Sequence, residues 1–423
     1  MPVRGEHIEI GFDRAYRLAV ENAPLLARQI LPIQNTVGRV MAEPAIAKVN
    51  SPSVGASLKD GYAIISADLF HAAPENAVKL EIVGSVAAGG ESDIRLTNGQ
   101  AVRILSGAPL PEGAQAVLAD EFTDAGADGR WVFARATAEP GRNVQPRGED
   151  VCLGEKLAEA GQVVSPQLVG RLVAGGISAL SVFKKPRVGL LATGSEILLP
   201  GKPPAAGKLY ASNVALQQAW LAGEGIDTEV LISADSFDEM AGAIRELHET
   251  CDAVITSGGA WKGDRDLVVK VLDSLGWEMF FHRVRMGPGK ALGAGRLNGK
   301  PVFCLPGGPA SNEAAFIMIA FPAILKIAGF QHCPYLYLTG RLETEVYGQS
   351  DWTQLIQCEI RQTSPEVVLC PKKLKSRLAA MTRTPAIVKI PEGVERIAAG
   401  SLVPFICLDR QVFEWPINDT PSP

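Results

Sequence analysis

This chain has no uninterrupted apolar run long enough to cross a bilayer, no C-x-x-C pair and no surplus of positive charge. Each absence removes a class of protein. A membrane-spanning helix needs roughly 18–20 consecutive apolar residues, and the longest candidate, 314–328, is interrupted by Pro322 and Lys326. The opening MPVRGEHIEIGFDRAYRLAV carries acidic residues and no hydrophobic signal core, so secretion is not expected. Seven cysteines lie scattered, odd in number, which argues against a disulfide framework or a structural zinc site and for reduced thiols in a cytoplasmic setting. Five histidines, at 7, 71, 248, 282 and 332, lack metal-ligand spacing. A net charge of −5 gives no general attraction to nucleic acid or to an acidic membrane surface.

What the chain does have is 423 residues, 47% of them hydrophobic and 21% charged, enough for two to four soluble domains. Residues 1–45 and 147–184 read as helical and as one discontinuous domain, on the spacing of Phe12, Ala15, Leu18, Ala19, Leu25, Leu26 and Ile30 and on VSPQLVGRLVAGGI. Between them, over 46–146, short β-like runs alternate with glycine, proline and asparagine clusters, which predicts a β-rich insert. From 185 to 330 strands and helices alternate, the order of elements in a doubly wound parallel sheet. The apolar runs 188–193, 229–234, 253–255 and 301–305 supply the strands, and a helix over 213–223 takes Ser212 as its expected N-cap. Residues 331–417 return to strands and predict a β-barrel or small sandwich.

The most informative stretch, 252–329, is strand, glycine-rich loop and helix twice over. Thr256-Ser257-Gly258-Gly259 follows one strand and Pro306-Gly307-Gly308-Pro309 the other. Such loops sit at the carboxyl ends of strands, where free N–H groups of the next helix meet a phosphate or another oxyanion. No Walker loop or dinucleotide G-x-G-x-x-G pattern is present. Lys262, Gly263, Asp264 and Asp266 follow the first loop: the two carboxylates suit Mg²⁺ bridging to phosphate, or else helix capping. Lys290, in MGPGKA, suits neutralisation of a bound anion.

Elsewhere Asp60 in LKDGYA is either a turn residue or a cation-binding carboxylate, and Ser106 in LSGAPLPEGA either closes a rigid turn or donates to a ligand oxygen. Arg142 and Arg147, around GRNVQPRGED, suit a bidentate hold on phosphate as well as a solvated charge cluster. Glu196, in ATGSEI after a buried strand, suits a ligand contact at the sheet edge or a cap on backbone amides.

Taken in order, DGYA, SGAPLPEGA, GRNVQPRGED, ATGSEI, LYASN, ITSGGAWKGDRD, Gly289-Lys290 and LPGGP resemble the successive signatures of the molybdopterin molybdenumtransferase family, which includes the C-terminal domain of gephyrin. The resemblance runs to IPEGVERIAAGSLV near the end of the chain. It implies an elongated homodimer whose protomer has a helical segment, a β-rich insert, an α/β molybdopterin-binding domain and a C-terminal β-barrel. The implied reaction takes adenylylated molybdopterin and molybdate, cleaves the phosphoanhydride with Mg²⁺ or another divalent cation, releases AMP and inserts the metal at the dithiolene. The site would lie between the α/β domain of one subunit and the β insert of the other, with other molybdenum cofactor biosynthesis proteins as candidate partners.

Carried over by position, Asp60, Glu196 and Asp266 match the family's functional acids, with Asp60 and Asp266 as metal ligands. Ser106 (threonine in many members) matches a functional polar residue and Lys290 and Ser376 match ligand-contacting positions, while Ser257, Gly258, Gly259, Gly307, Gly308 and Arg147 are candidate ligand contacts on the loop and arginine readings above. Several family positions differ: Lys59 stands in the P-P-F-D-N-S-A-M-D-G-Y-A signature, Ser195 in T-G-D-E, Ala211 in Y-D-S-N, Lys262 in G-G-V-S-V-G and Gly308 in P-G-N-P. Fewer carboxylates and added lysines make the expected site less acidic, which would weaken cation binding. The alternative reading is a divergent paralogue that binds molybdopterin or a nucleotide without turnover, as carrier, sensor or scaffold.

Overall fold

The computed structural model describes residues 9–90, 93–258, 267–363, 366–372 and 377–409. The chain forms two compact units, Ile30–Val182 and the pair of segments Met1–Gln29 with Phe183–Pro423. The expectation that 1–45 and 147–184 are mainly helical is corrected. Among the described residues only α1 (Phe12–Glu21) and α2 (Pro166–Ala174) are α-helical there, and α1 belongs to the unit that contains Phe183–Pro423. Pro24 disfavours helical geometry at Ala23, and Arg28–Pro32 is a strand of alternating exposure, so Leu25, Leu26 and Ile30 do not extend α1. Helix α2 starts as its sequence dictates: Ser165 accepts the Leu168 N–H at 3.1 Å and Pro166 occupies the first turn.

The Ile30–Val182 unit is centred on a six-stranded sheet. Its strands are β1 (Gly61–Ile64), β2 (Val78–Val86), β3 (Gln100–Ile104), β4 (Ala116–Ala119), β5 (Thr123–Ala125) and β6 (Trp131–Ala134), in the order β4-β1-β3-β2-β6-β5. Only β2 and β3 run parallel. Tyr62, Ile64, Leu80, Ala101 and Leu118 pack one core on this sheet, and Ala63, Val102, Ile104 and Val117, alternating with them along the strands, pack another.

In the other unit, a second six-stranded sheet has the order β8-β7-β9-β13-β12-β10. These are β7 (Arg187–Thr193), β8 (Asp227–Ser233), β9 (Ala253–Ser257), β10 (Glu278–His282), β12 (Gly293–Leu297) and β13 (Lys300–Leu305), with β11 (Val284–Gly287) lying outside the sheet. Strands β8, β7, β9 and β13 are parallel. Strands β12 and β10 are antiparallel, so the sheet is mixed rather than wholly parallel. Strands β7, β9 and β13 are buried on both faces, which is why they read as continuous apolar runs, whereas the edge strand β8 is only partly buried.

Helices α3 (Ser212–Gly223), α4 (Phe237–Thr250), α5 (Leu267–Ser274), α6 (Pro309–Ala315) and α7 (Phe321–Ile327) serve this domain, a π-helical turn at Phe316–Ala320 joining the last two. Met240, Ile244 and Leu247, spaced four and three apart on α4, bury against β7, β9 and α5. A Cβ on Gly189 would lie 2.9 Å from that of Leu247, so glycine allows α4 to approach the sheet closely. Burial of side chains such as Leu247 and Val271 contributes roughly 1.5–3 kcal/mol each. The expected N-cap Ser212 is instead the first residue of α3. Ala211 occupies the cap with no side-chain hydrogen bond, because an alanine has none to offer. The helical run Pro309–Ile327 is long and apolar enough by composition to cross a membrane, but 83% of it is buried inside the protein.

Beyond it, β14 (Leu336–Leu342), β15 (Thr353–Thr363), β16 (Glu366–Pro371), β17 (Ala386–Ile390) and β18 (Leu402–Cys407) close into a five-stranded barrel, since β15 pairs with both β16 and β17. Strand β11 extends β15 at Met286↔Thr353 and Gly287↔Gln354, bringing the Lys290 segment beside the barrel. A short helix, α8 (Arg377–Arg383), precedes β17.

Candidate active site

Four parallel strands end on one edge of the mixed sheet, and the residues just past those ends line two neighbouring cavities. The first, of about 600 Å³, is lined by Glu196 after β7, Asp235 after β8, Ser257 and Gly258 at the end of β9, Gly307 after β13, and Asn213 on α3. The second, of about 710 Å³, is lined by Lys290, Gly307, Gly308, Ser311, Trp352 and Gln354. Gly307 belongs to both walls.

Gly258 has φ +108°, and a Cβ there would meet the Thr193 carbonyl oxygen at 2.7 Å. Glycine therefore brings the backbone against β7 while leaving the strand end open to a ligand. Ser257 is 7% exposed. Its Oγ receives the Nδ2 of Asn213 at 3.3 Å and the Nδ2 of Asn312 at 3.0 Å. Asn213 also donates to the Gly307 carbonyl at 2.9 Å and Asn312 to the Pro306 carbonyl at 2.8 Å. Gln217, on the face of α3 one turn after Asn213, donates to Asn312 Oδ1 at 2.7 Å. Both glycine-rich loops are thus tied to α3 and α6 through side-chain amides, that of Asn312 buried and that of Asn213 half-buried.

Glu196 is exposed, and its carboxylate lies over Gly194, where a Cβ would meet Oε2 at 2.6 Å. Asp235 Oδ2 accepts the Ser195 N–H at 3.4 Å. In the second cavity the Lys290 ammonium stands 4.6 Å from the centroid of Trp352 and 3.9 Å from Glu9 Oε2, so it is held by a ring face and a loose ion pair. Glu313, on α6, is 7% exposed, and burial pushes its carboxyl up to about 7.

Asp60 and Ser106 meet in the other unit: Asp60 Oδ1 accepts the Ser106 N–H at 2.7 Å. Both residues are exposed. The Asp60 turn is further pinned by the Asp120 N–H on the Asp60 carbonyl at 3.1 Å and by Arg103 Nη1 on the Gly61 carbonyl at 3.1 Å. Arg103 stacks on Tyr62 at 5.1 Å and pairs with Asp120, whose hydrogen bond pushes the guanidinium pKa up. Arg147 is exposed on its own turn, while Arg142 donates to the Thr137 carbonyl and covers the Phe122 ring. Gly259, Asp266 and Ser376 lie outside the described residues, as do Lys262, Gly263 and Asp264.

Among the expected site residues, then, Glu196, Ser257, Gly258 and Gly307 share one cavity, Lys290, Gly307 and Gly308 share the next, and Asp60 with Ser106 forms a separate pair. Asp235, Asn312, Gln217 and Trp352 are contributors that sequence reasoning missed. Asp235 carries a signal that could have found it, an acid just past an apolar run, as Glu196 is. Asn312, Gln217 and Trp352 carry none, being ordinary polar or aromatic residues within regular elements or turns.

Residues 189–326 match the family model described as a probable molybdopterin binding domain, and residues 10–176 match that of the MoeA N-terminal region, domains I and II. The molybdopterin molybdenumtransferase 2 of Mycobacterium tuberculosis is 30% identical over 379 residues, spanning 88% of this chain and 93% of that protein. The molybdopterin molybdenumtransferase of Bacillus subtilis is 27% identical, spanning 91% of each. Two solved structures of the molybdopterin biosynthesis moeA protein of Pyrococcus horikoshii superpose with a TM-score of 0.80, at 27% and 25% identity, covering 95% and 94% of this chain and 99% of each of theirs. This chain belongs to the molybdopterin molybdenumtransferase family.

Proposed function

We propose that the protein is a molybdopterin molybdenumtransferase: it binds adenylylated molybdopterin and molybdate, releases AMP and delivers molybdenum to the dithiolene. The observation that carries this reading is the pair of cavities meeting at Gly307. One offers a serine hydroxyl, an asparagine amide and two carboxylates, and the other a lysine ammonium and the Ser311 hydroxyl. A ligand joining a phosphoanhydride to a second anion needs two such neighbouring environments.

In this reading Ser257 and the amides beyond Gly258 and Gly307 hold phosphate oxygens, and Lys290 holds the molybdate oxyanion by charge, with Trp352 fixing the ammonium. Gly259 and Ser376 are assigned ligand contacts, Asp266 a metal-binding and catalytic role, and Ser106 and Arg147 are assigned ligand contacts as well. Asp60 orients the group that attacks the phosphoanhydride. Its Oδ1 is occupied by the Ser106 N–H, so the second carboxylate oxygen is the one available for chemistry.

A divalent cation such as Mg²⁺ fits the donors present. Glu196 and Asp235 both line the phosphate cavity, and Mg²⁺ takes one or two carboxylates while keeping several waters. Those two residues would hold it, with Asp266 assigned as a further oxygen ligand. Bound there, the cation would neutralise charge on the phosphates.

Purified protein incubated with adenylylated molybdopterin, molybdate and Mg²⁺ should release AMP. No AMP with any divalent cation would overturn the assignment. The homodimer belongs to the same proposal, and light scattering that returns a monomer under turnover conditions would remove it.

A further inference from the structure

A serine hydroxyl has one proton to donate and two lone pairs to accept with. At Ser257 both partners of Oγ among the described residues are side-chain NH₂ groups, those of Asn213 and Asn312. The identity of each amide atom follows from chemistry. The Nδ2 of Asn213 also faces the Gly307 carbonyl and that of Asn312 the Pro306 carbonyl, and a carbonyl can only accept. Gln217 reinforces this by donating to Asn312 Oδ1, which leaves that nitrogen for Ser257. Gln217 and Asn312 are 0% and 1% exposed, so water does not compete for these groups.

With its lone pairs engaged by donors, the Ser257 proton has no acceptor in the protein among the described residues, although the side chain is almost wholly buried. Ser257 lines the 600 Å³ cavity. We propose that Asn312 and Asn213 act as positioning residues that fix the Ser257 hydroxyl as an obligate hydrogen-bond donor to a phosphate oxygen of the ligand. The two amides prevent Ser257 from presenting its lone pairs inward, so it favours an acceptor such as an ionised phosphate oxygen over a donor-only group such as an ammonium. The identity of that ligand rests on the functional reading above; the donor geometry does not.

The test is a double-mutant cycle on the full chain, read by calorimetry with two ligands in parallel, adenylylated molybdopterin and inorganic pyrophosphate. Ser257→Ala should weaken binding roughly tenfold, by loss of a hydrogen bond to a charged acceptor. Asn312→Ala should weaken it by about fivefold, because the hydroxyl is then free to turn. The double variant should bind no worse than Ser257→Ala, since Asn312 acts only through that hydroxyl. Multiplying effects in the double variant, or wild-type affinity in Asn312→Ala, overturns the proposal. If near-ultraviolet circular dichroism shows that Asn312→Ala fails to fold, the half-buried Asn213→Ala completes the same cycle under the same criteria. Binding of pyrophosphate without the pterin ligand removes the functional reading and leaves the cycle decided on pyrophosphate. Binding of neither by the wild type overturns both.

Discussion

Ser257 is buried and held by two amides from helices packed on the sheet, whereas Asp60 and Ser106 lie on exposed turns joined by one hydrogen bond. The contrast separates two ways of building a site. In the α/β domain, the candidate ligand contacts are part of the core: an altered member leaves buried polar partners unpaired, so binding and stability should change together. At the Asp60 turn the backbone is fixed by Arg103 and Asp120 from the flanking β3 strand and β4 end, leaving the carboxylate itself in solvent. Removing that carboxylate should change chemistry and little else.

The largest expected effect tests the exposed side. Asp60→Ala should lower kcat for AMP release by roughly 10²–10³-fold, the scale for loss of one transition-state contact, while urea unfolding changes by less than about 1 kcal/mol. A comparable loss of stability would break the contrast.

On the buried side Glu313 offers a pH test. Its folded-state pKa is raised from 4.5 to about 7 by burial, so the folded protein holds this proton where the unfolded chain has released it. The resulting stability is fully present below pH 4.5 and is lost as pH rises through about 7. Glu313→Gln should remove that slope from urea titrations. It should stabilise the protein at pH 8 by on the order of 2–3 kcal/mol, from the size of the shift. An unchanged slope would place the titration elsewhere.

Gly258→Ala comes next. With φ at +108° and the Thr193 carbonyl 2.7 Å from the new methyl, a cost of about 1–3 kcal/mol is expected in thermal unfolding, together with weaker pterin binding. Full stability would show that the strand end is not tightly packed. The smallest effect is that of Lys290→Met. Loss of the ammonium beside Trp352 should raise the KM for molybdate by about tenfold and leave the KM for adenylylated molybdopterin nearly unchanged, on the scale of one charge-assisted contact. Equal changes in both would merge the two cavities into one functional site.

Strands β7, β9 and β13 were legible because each is an apolar run followed by glycine, as in the LPGGP that ends β13 and opens α6, and β8 as an apolar run alone, whereas β10 and β12 went unread. The closed barrel was legible as strands, but its closure depends on β15 pairing with β17 as well as β16, which no local pattern encodes. The segment 25–30 misled because its apolar spacing suits a helix over a few residues, and tertiary pairing made a strand of Arg28–Pro32 instead. Asp60 and Ser106 stood out through turn motifs, yet only the fold shows the carboxylate of one capping the N–H of the other.

By itself the sequence determined where the chain exposes backbone amides, because that depends on a buried strand, a glycine and a helix start lying consecutively. Tertiary structure alone decided which side chains surround those amides. Asn213, Asn312 and Gln217 reach their partners across 44, 55 and 95 positions of chain, respectively. Hydrogen bonds at such separations are set by how α3 and α6 pack beside the sheet, a property of three-dimensional packing with no counterpart in neighbouring residues.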